Sequence, residues 1–162
     1  MELTHTAQDR AIVVAQLGRE PRGSWGVAAR CHLGLPMVIE NSPLAEGEPF
    51  PTLFWLTCPL LVKRASRLEG GGHMARVNDR LQRRGELHGR LAGALRRYIR
   101  RRDAHEVIED AGAPPGGGPD KVKCLHAHLA HELADPPNPV GAETLALCGY
   151  PDCRTPCVVS RP

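Results

Sequence analysis

Apolar residues recur along this chain at two periods, and the change of period divides it. Residues 6–17 carry a short amphipathic helical pattern. Thr6 stands where a cap is needed, Asp9 follows three residues later in the capping-box position, and Gly18 supplies a stop. The next stretch reads as strands. Residues 24–31 are extended, His32-Leu33-Gly34-Leu35-Pro36 turns, and residues 37–40 return, which predicts a β-hairpin. Three prolines and one glycine make residues 41–51 a loop. Residues 52–57 are apolar and aromatic between prolines, and are expected to form a buried central strand.

From Pro59 onward the period is helical. Pro59 suits a first helical position with Cys58 just before it, Leu60, Leu61, Ala65 and Leu68 recur, and Gly70-Gly71-Gly72 ends the helix. Met74, Val77 and Leu81 line one face of residues 73–83. Leu87, Leu91, Ala94, Leu95 and Ile99 do the same for residues 86–102. Residues 110–120 hold Pro-Pro-Gly-Gly-Gly-Pro and are expected to be a mobile loop. Residues 122–134 predict another helix, ended by Asp135-Pro136-Pro137, and Asn138-Pro139-Val140-Gly141 leads into a short one reaching Leu147. No internal repeat is present. The sum is an α+β fold: a small antiparallel sheet, made of the hairpin and one apolar strand, packed against a bundle of about five helices. Residues 1–148 are expected to be one domain and 149–162 an irregular tail that contains cysteines.

Size and composition fit this. At 162 residues and 17.6 kDa a chain buries ~70% of its unfolded surface and needs no staples. Charged residues are 24% and hydrophobic ones 41%, which excludes wholesale disorder. No apolar run approaches the ~20 residues that span a bilayer, and no signal-peptide pattern opens the chain, so a soluble cytoplasmic protein is expected. The net charge of +3 is too mild for a nucleic-acid binder, and 4% aromatics leave no stacking platform. The charge is lopsided, however. Ten Arg face one Asp and one Glu between Arg76 and Arg102, and the run from Arg96 to Arg102 wraps its helix, as a solvated surface does.

Six cysteines in a cytoplasmic chain favour metal ligation or thiol chemistry over disulfides. The densest segment is Lys123-Cys124-Leu125-His126-Ala127-His128-Leu129-Ala130-His131. On a helix Cys124, His128 and His131 share a face. If Cys124 instead precedes the helix, Cys124 and His126 can turn toward one ion. Cys31 ends a strand, and Cys58 sits at a helix start, where backbone amides would lower its thiol pKa. Together these predict a site with Cys31, Cys58 and Cys124 as ligands and His126, or else His131 or His128, as the fourth. Zinc is the expected ion, with an iron–sulfur cluster as the alternative. Cys148, Cys153 and Cys157 form a separate C-x4-C-x3-C group, which matches no standard knuckle. There is no G-x-S-x-G, P-loop, dinucleotide fingerprint or H-E-x-x-H.

Seven ordered blocks carry a resemblance: Arg19-Glu20-Pro21-Arg22-Gly23, Arg30-Cys31, the run from Gly34 to Glu40, the run from Pro49 to Pro59, Ser66-Arg67-Leu68-Glu69, Val122-Lys123-Cys124-Leu125-His126 and Asn138-Pro139-Val140-Gly141. Over residues 16–148 the chain resembles the bacterial domain-of-unknown-function 501 family. That resemblance implies a cytoplasmic bacterial protein, most familiar from actinobacteria, with gene neighbours that point to cell-division or envelope physiology. It carries over no catalytic residue. Its blocks pick out Cys31, Cys58, Cys124, His126 and His131.

Three readings remain open from the sequence. The first is a metal-binding protein whose ion clips the sheet to the helical half. The second is a small-molecule enzyme that uses metal-bound water or the Cys58 thiolate, with Arg30, Glu40, Asn41, Thr57, Arg67, Glu69, Lys123 and Asn138 around a pocket. The third is an adaptor whose Arg-rich helices dock on an acidic protein or nucleic acid.

Overall fold

In a computed structural model of the chain, which describes residues 2–109, 111–150 and 152–159, the N-terminal half is a helix and five strands. These are α1 (Ala7–Leu17), β1 (Trp25–Arg30), β2 (Pro36–Asn41), β3 (Leu44–Ala45), β4 (Glu48–Pro49) and β5 (Phe54–Leu56). Five more helices follow: α2 (Pro59–Gly70), α3 (His73–Gln82), α4 (Glu86–His105), α5 (Leu125–Ala134) and α6 (Pro139–Cys148). The fold is α+β. The capping box forms as the sequence predicts, with Thr6 Oγ1 accepting from the Asp9 amide and Asp9 accepting from the Thr6 amide, both at 3.0 Å.

The hairpin also forms, and β5 adds antiparallel to β2, giving the order β1-β2-β5. The apolar 52–57 run is therefore an edge strand, and β2 is central. The reason lies in burial. β2 is buried along its whole length because both faces are covered. Ile39 packs with Val13 and Trp25 on the α1 side, while Val38 packs with Phe54 and Leu129 on the α5 side. Within the expected 41–51 loop, β3 and β4 make a minimal ladder, Leu44 opposite Pro49.

α5 begins three residues later than the sequence pattern suggests. Val122 is instead bridged to Gly117, and Cys124 is extended (φ −152°, ψ 116°). This pairing ties the later part of the expected 110–120 loop to the start of α5. The Gly116 carbonyl accepts from the Lys123 amide at 2.7 Å, and His128 Nε2–H donates to the Gly116 and Gly117 carbonyls at 3.1 Å each. Gly116 and Gly117 have φ +88° and +72°, which only glycine adopts without strain, and a Cβ at Gly116 would meet the Ala127 Cβ at 2.7 Å. Asp110 lies outside the described residues.

α5 and α6 are locked by the block 138–141. Asn138 caps α6 by accepting from the Val140 and Gly141 amides, and its side-chain amide donates to Nδ1 of both His128 and His131. A Cβ at Gly141 would collide with the His128 carbonyl, so the two helices touch there. The arginines also depart from the picture of a solvated surface. Arg101 makes two hydrogen bonds to buried Glu40, Arg102 is itself buried, and Arg80 pairs with Glu143 through two nitrogens. Among the described residues, no helix is long and apolar enough to cross a membrane.

Candidate metal centre

Glu69 is the penultimate residue of α2, Cys124 is the N-cap of α5, and His126 is the second residue of that helix. Because Cys124 stays extended, its side chain turns to the same side as His126. Glu69 Oε1 accepts from the Leu125 amide at 2.7 Å and lies 3.0 Å from His126 Nδ1, while Cys124 Sγ is 3.9 Å from that same nitrogen. One ligand atom from each of the three lies within 4.8 Å of the others, and this is the one such group of three among the described residues.

The other imidazole nitrogen decides the orientation. His126 Nε2–H donates to the Val62 carbonyl at 3.1 Å, with Ser66 Oγ also at 3.1 Å. Fixing Nε2 as the donor leaves Nδ1 as the nitrogen that meets the thiol and the carboxylate, which is how a neighbouring carbonyl sets a metal-binding tautomer. The hydrogen bond to Cys124 raises the His126 pKa most, burial opposes it, and Glu69 adds to the rise, so the group is pushed up to about 9. A proton therefore sits on Nδ1 at neutral pH, at the point where a cation could replace it. Cys124 and His126 form part of the wall of a cleft of about 380 Å³, whose other walls include Phe54 and Leu56 of β5, Val62, Pro115 and Ala127.

Other residues singled out from the sequence lie elsewhere. Cys31 and Cys58 do not join Cys124; they line a separate cavity with Cys153 and Cys157. Helix length explains this. Cys58 and Glu69 stand at opposite ends of the 12-residue α2, ~16 Å apart along its axis at 1.5 Å per residue. The expected four-ligand clip between Cys31, Cys58, Cys124 and a histidine is therefore corrected to a three-donor group with Glu69. Burial pushes the Cys58 thiol up, which outweighs the lowering by the Leu61 and Leu60 amides, so it is not the activated thiolate expected at a helix start. His128 and His131 are buried and spend Nδ1 on Asn138; burial lowers both pKa values, that of His131 to about 3. They are core residues, and His131 lies against the rings of Phe54 and Tyr98.

Of the polar set, only Glu69 reaches the centre. Arg30 pairs with Asp9, Glu40 with Arg101 and His105, and Asn41 holds the Thr52 and Leu53 carbonyls. Thr57 is buried, Asn138 caps α6, and Arg67 and Lys123 are exposed. From the sequence Glu69 stands among the pocket residues and not among the candidate ligands. Its signal was a carboxylate closing one resembling block while Cys124 and His126 close another.

A family model described as "Protein of unknown function (DUF501)" matches residues 27–146. No curated protein and no solved structure matches the chain. The matched segment runs from β1 almost to the end of α6 and contains Glu69, Cys124 and His126 but not Cys148, Cys153 or Cys157. By that match over more than half its length, the chain belongs to the DUF501 family.

Proposed function

We propose that the chain binds a zinc ion through Glu69, Cys124 and His126, and that the ion's fourth position faces the cleft. The observation that carries this reading is the convergence of three donors from two helices within 4.8 Å, with Cys124 and His126 in the cleft wall. Thiolate, imidazole and carboxylate are all zinc donors. Three protein ligands with one position open is the arrangement of catalytic rather than structural zinc. Such an ion would bring a bound water's pKa to ~7. The apolar walls suit a small molecule with a hydrocarbon body and one polar head directed at the ion. In this role the protein is a small-molecule hydrolase or hydratase. The Arg-rich adaptor reading has less support, because Arg80, Arg101 and Arg102 are engaged within the chain.

Metal analysis of protein purified without a His tag tests this, with Cys124→Ser, His126→Ala and Glu69→Gln beside the parent. The expected result is one zinc per chain that is lost in the first two variants and weakened in the third. Cobalt in place of zinc should show thiolate charge-transfer absorption that shifts when thiocyanate is added, since an open position takes the anion. Zinc retained in folded Cys124→Ser and His126→Ala, or a cobalt spectrum indifferent to thiocyanate, would refute the reading.

A second reading has one observation of its own: His126 is held protonated beside Cys124, which is the pairing that makes a thiolate nucleophile. It predicts fast alkylation of Cys124 by iodoacetamide in metal-free protein and no dependence of activity on zinc.

A further inference from the structure

The three-stranded sheet has two outer edges, and the chain treats them differently. The β1 edge is covered near the N-terminus, where the Val27 amide donates to the Thr4 carbonyl at 3.0 Å. The β5 edge instead forms part of the cleft beside the Glu69 centre. Phe54, Trp55 and Leu56 all line that cleft, with Gly116 and Ala127 among its other walls. Proteins usually cover or charge a sheet edge, because its free N–H and C=O groups pair with an extended chain. The β5 residues carry no charge.

The register fixes which backbone groups face away from the sheet. β5 pairs antiparallel with β2, Ile39 opposite Trp55. The Asn41 amide donates to the Leu53 carbonyl at 2.7 Å, and the Thr57 amide to the Met37 carbonyl at 2.9 Å. Hydrogen-bonded pairs alternate along an antiparallel ladder. Leu53, Trp55 and Thr57 therefore turn their backbone groups toward β2, and Phe54 and Leu56 turn theirs away from it. The Phe54 amide is near the Tyr98 hydroxyl. Among the described residues, the Phe54 carbonyl and the Leu56 amide and carbonyl have no hydrogen-bond partner.

Acceptor, donor and acceptor in a row along an extended edge are what a second extended backbone satisfies. A residue lying opposite Leu56 would exchange two hydrogen bonds with it, and the residue two positions on would donate to the Phe54 carbonyl. Such a segment is about three residues long, roughly 10 Å at ~3.3 Å per residue. A cleft of about 380 Å³ is large enough for a molecule of that size. Its lining has no carboxylate, lysine or arginine, so it offers a polyanion no clamp. Leu56, Val62, Pro115 and Ala127 suit apolar side chains.

We propose that the cleft binds an extended peptide segment of about three apolar residues, which adds to β5 as a fourth strand of the sheet and has one end at the Glu69 centre. The placing of that end rests on the zinc reading, and the strand addition does not. Cys124 and His126 share the cleft lining with β5, so one short ligand spans both. The ligand class of the site narrows from any small molecule with a hydrocarbon body to a peptide backbone.

The test is a titration of the isotope-labelled full chain, with and without zinc, by N-acetyl-Leu-Ala-Leu N-methylamide, followed through the backbone amide resonances. The expected result in both forms is a saturable downfield shift of the Leu56 amide proton. The same peptide with its amides N-methylated keeps the side chains and loses the donors, and should bind at least about tenfold more weakly. Leu56→Pro removes the outward N–H without touching the β2 ladder and should abolish binding, while Leu56→Ala trims the same side chain and should retain it. Equal binding of the N-methylated peptide would overturn the proposal, because the cleft would then read no backbone. Zinc bound with the Leu56 amide unmoved would overturn the strand addition and leave the zinc reading standing. A Leu56 shift in a chain that takes up no zinc would refute the zinc reading and leave the strand addition standing.

Discussion

His126 and His131 stand five residues apart on α5, and their surroundings drive them in opposite directions. His126 lies at the helix start, half-buried between a thiol and a carboxylate, with its pKa pushed up to about 9. His131 lies one turn inside, against Phe54 and Tyr98, where burial, Arg97 and His128 hold its pKa down to about 3. A run of histidines on one helix is therefore not one chemical feature. The first turn, where backbone leaves an element, presents a side chain to partners from elsewhere. The interior turn presents it to the core.

The strongest way to break this contrast is to remove what keeps the inner pair structural. Asn138→Ala strips buried His128 and His131 of a shared donor and uncaps α6; it should cost about 3 kcal/mol and lower Tm by about 10 °C in thermal unfolding. His126→Ala should abolish zinc uptake in a metal titration, with a fall in Tm that is greater at pH 6 than above pH 9.

The pH dependence sharpens the contrast, because the two histidines act on opposite sides of neutrality. The His126 pKa is raised on folding from 6.5 to about 9. Its contribution is fully present below pH 6.5 and is lost as pH rises through about 9. The His131 pKa is depressed from 6.5 to about 3. The unfolded chain then gains the proton first, and stability falls from pH 6.5 toward 3. Each slope is at most about 1.4 kcal/mol per pH unit for one group. Denaturant unfolding across pH should show Glu69→Gln flattening the alkaline limb alone and His131→Leu flattening the acid limb alone.

Zinc affinity should rise from pH 6 toward 9, by up to about tenfold per pH unit for each proton displaced, since zinc displaces the His126 proton at Nδ1 and the Cys124 thiol proton; calorimetry in buffers of different ionisation enthalpy would count the protons released. The smallest effect is expected at Arg67 and Lys123. Both are exposed, and Arg67→Ala and Lys123→Ala should leave Tm and zinc affinity unchanged within ~0.5 kcal/mol.

Local rules read much of the fold from sequence. The capping box at Thr6, the proline starts of α2 and α6 and the glycine stops each rest on neighbouring residues, and all formed. What failed depended on who sits opposite whom. Residues 52–57 are apolar enough for a central strand, yet strand order is set by pairing, and β2 took that place. The site was legible to the same extent. An extended Cys124 before the helix was one of two geometries the spacing allowed, and it is the one that joins His126. The third donor was not legible, because Glu69 lies 55 residues earlier and only the packing of α2 on α5 brings it in. The separation of Cys31 and Cys58 from Cys124 was hidden for the same reason: the length of α2 sets it.

Glu69 Oε1 receives both the first amide of α5 and the His126 ring. A single oxygen thus fixes where the helix begins and where the imidazole points. Chemistry and architecture share one atom, so displacing either displaces the other. Grafting Cys-x-His onto another helix would carry over its letters without its geometry.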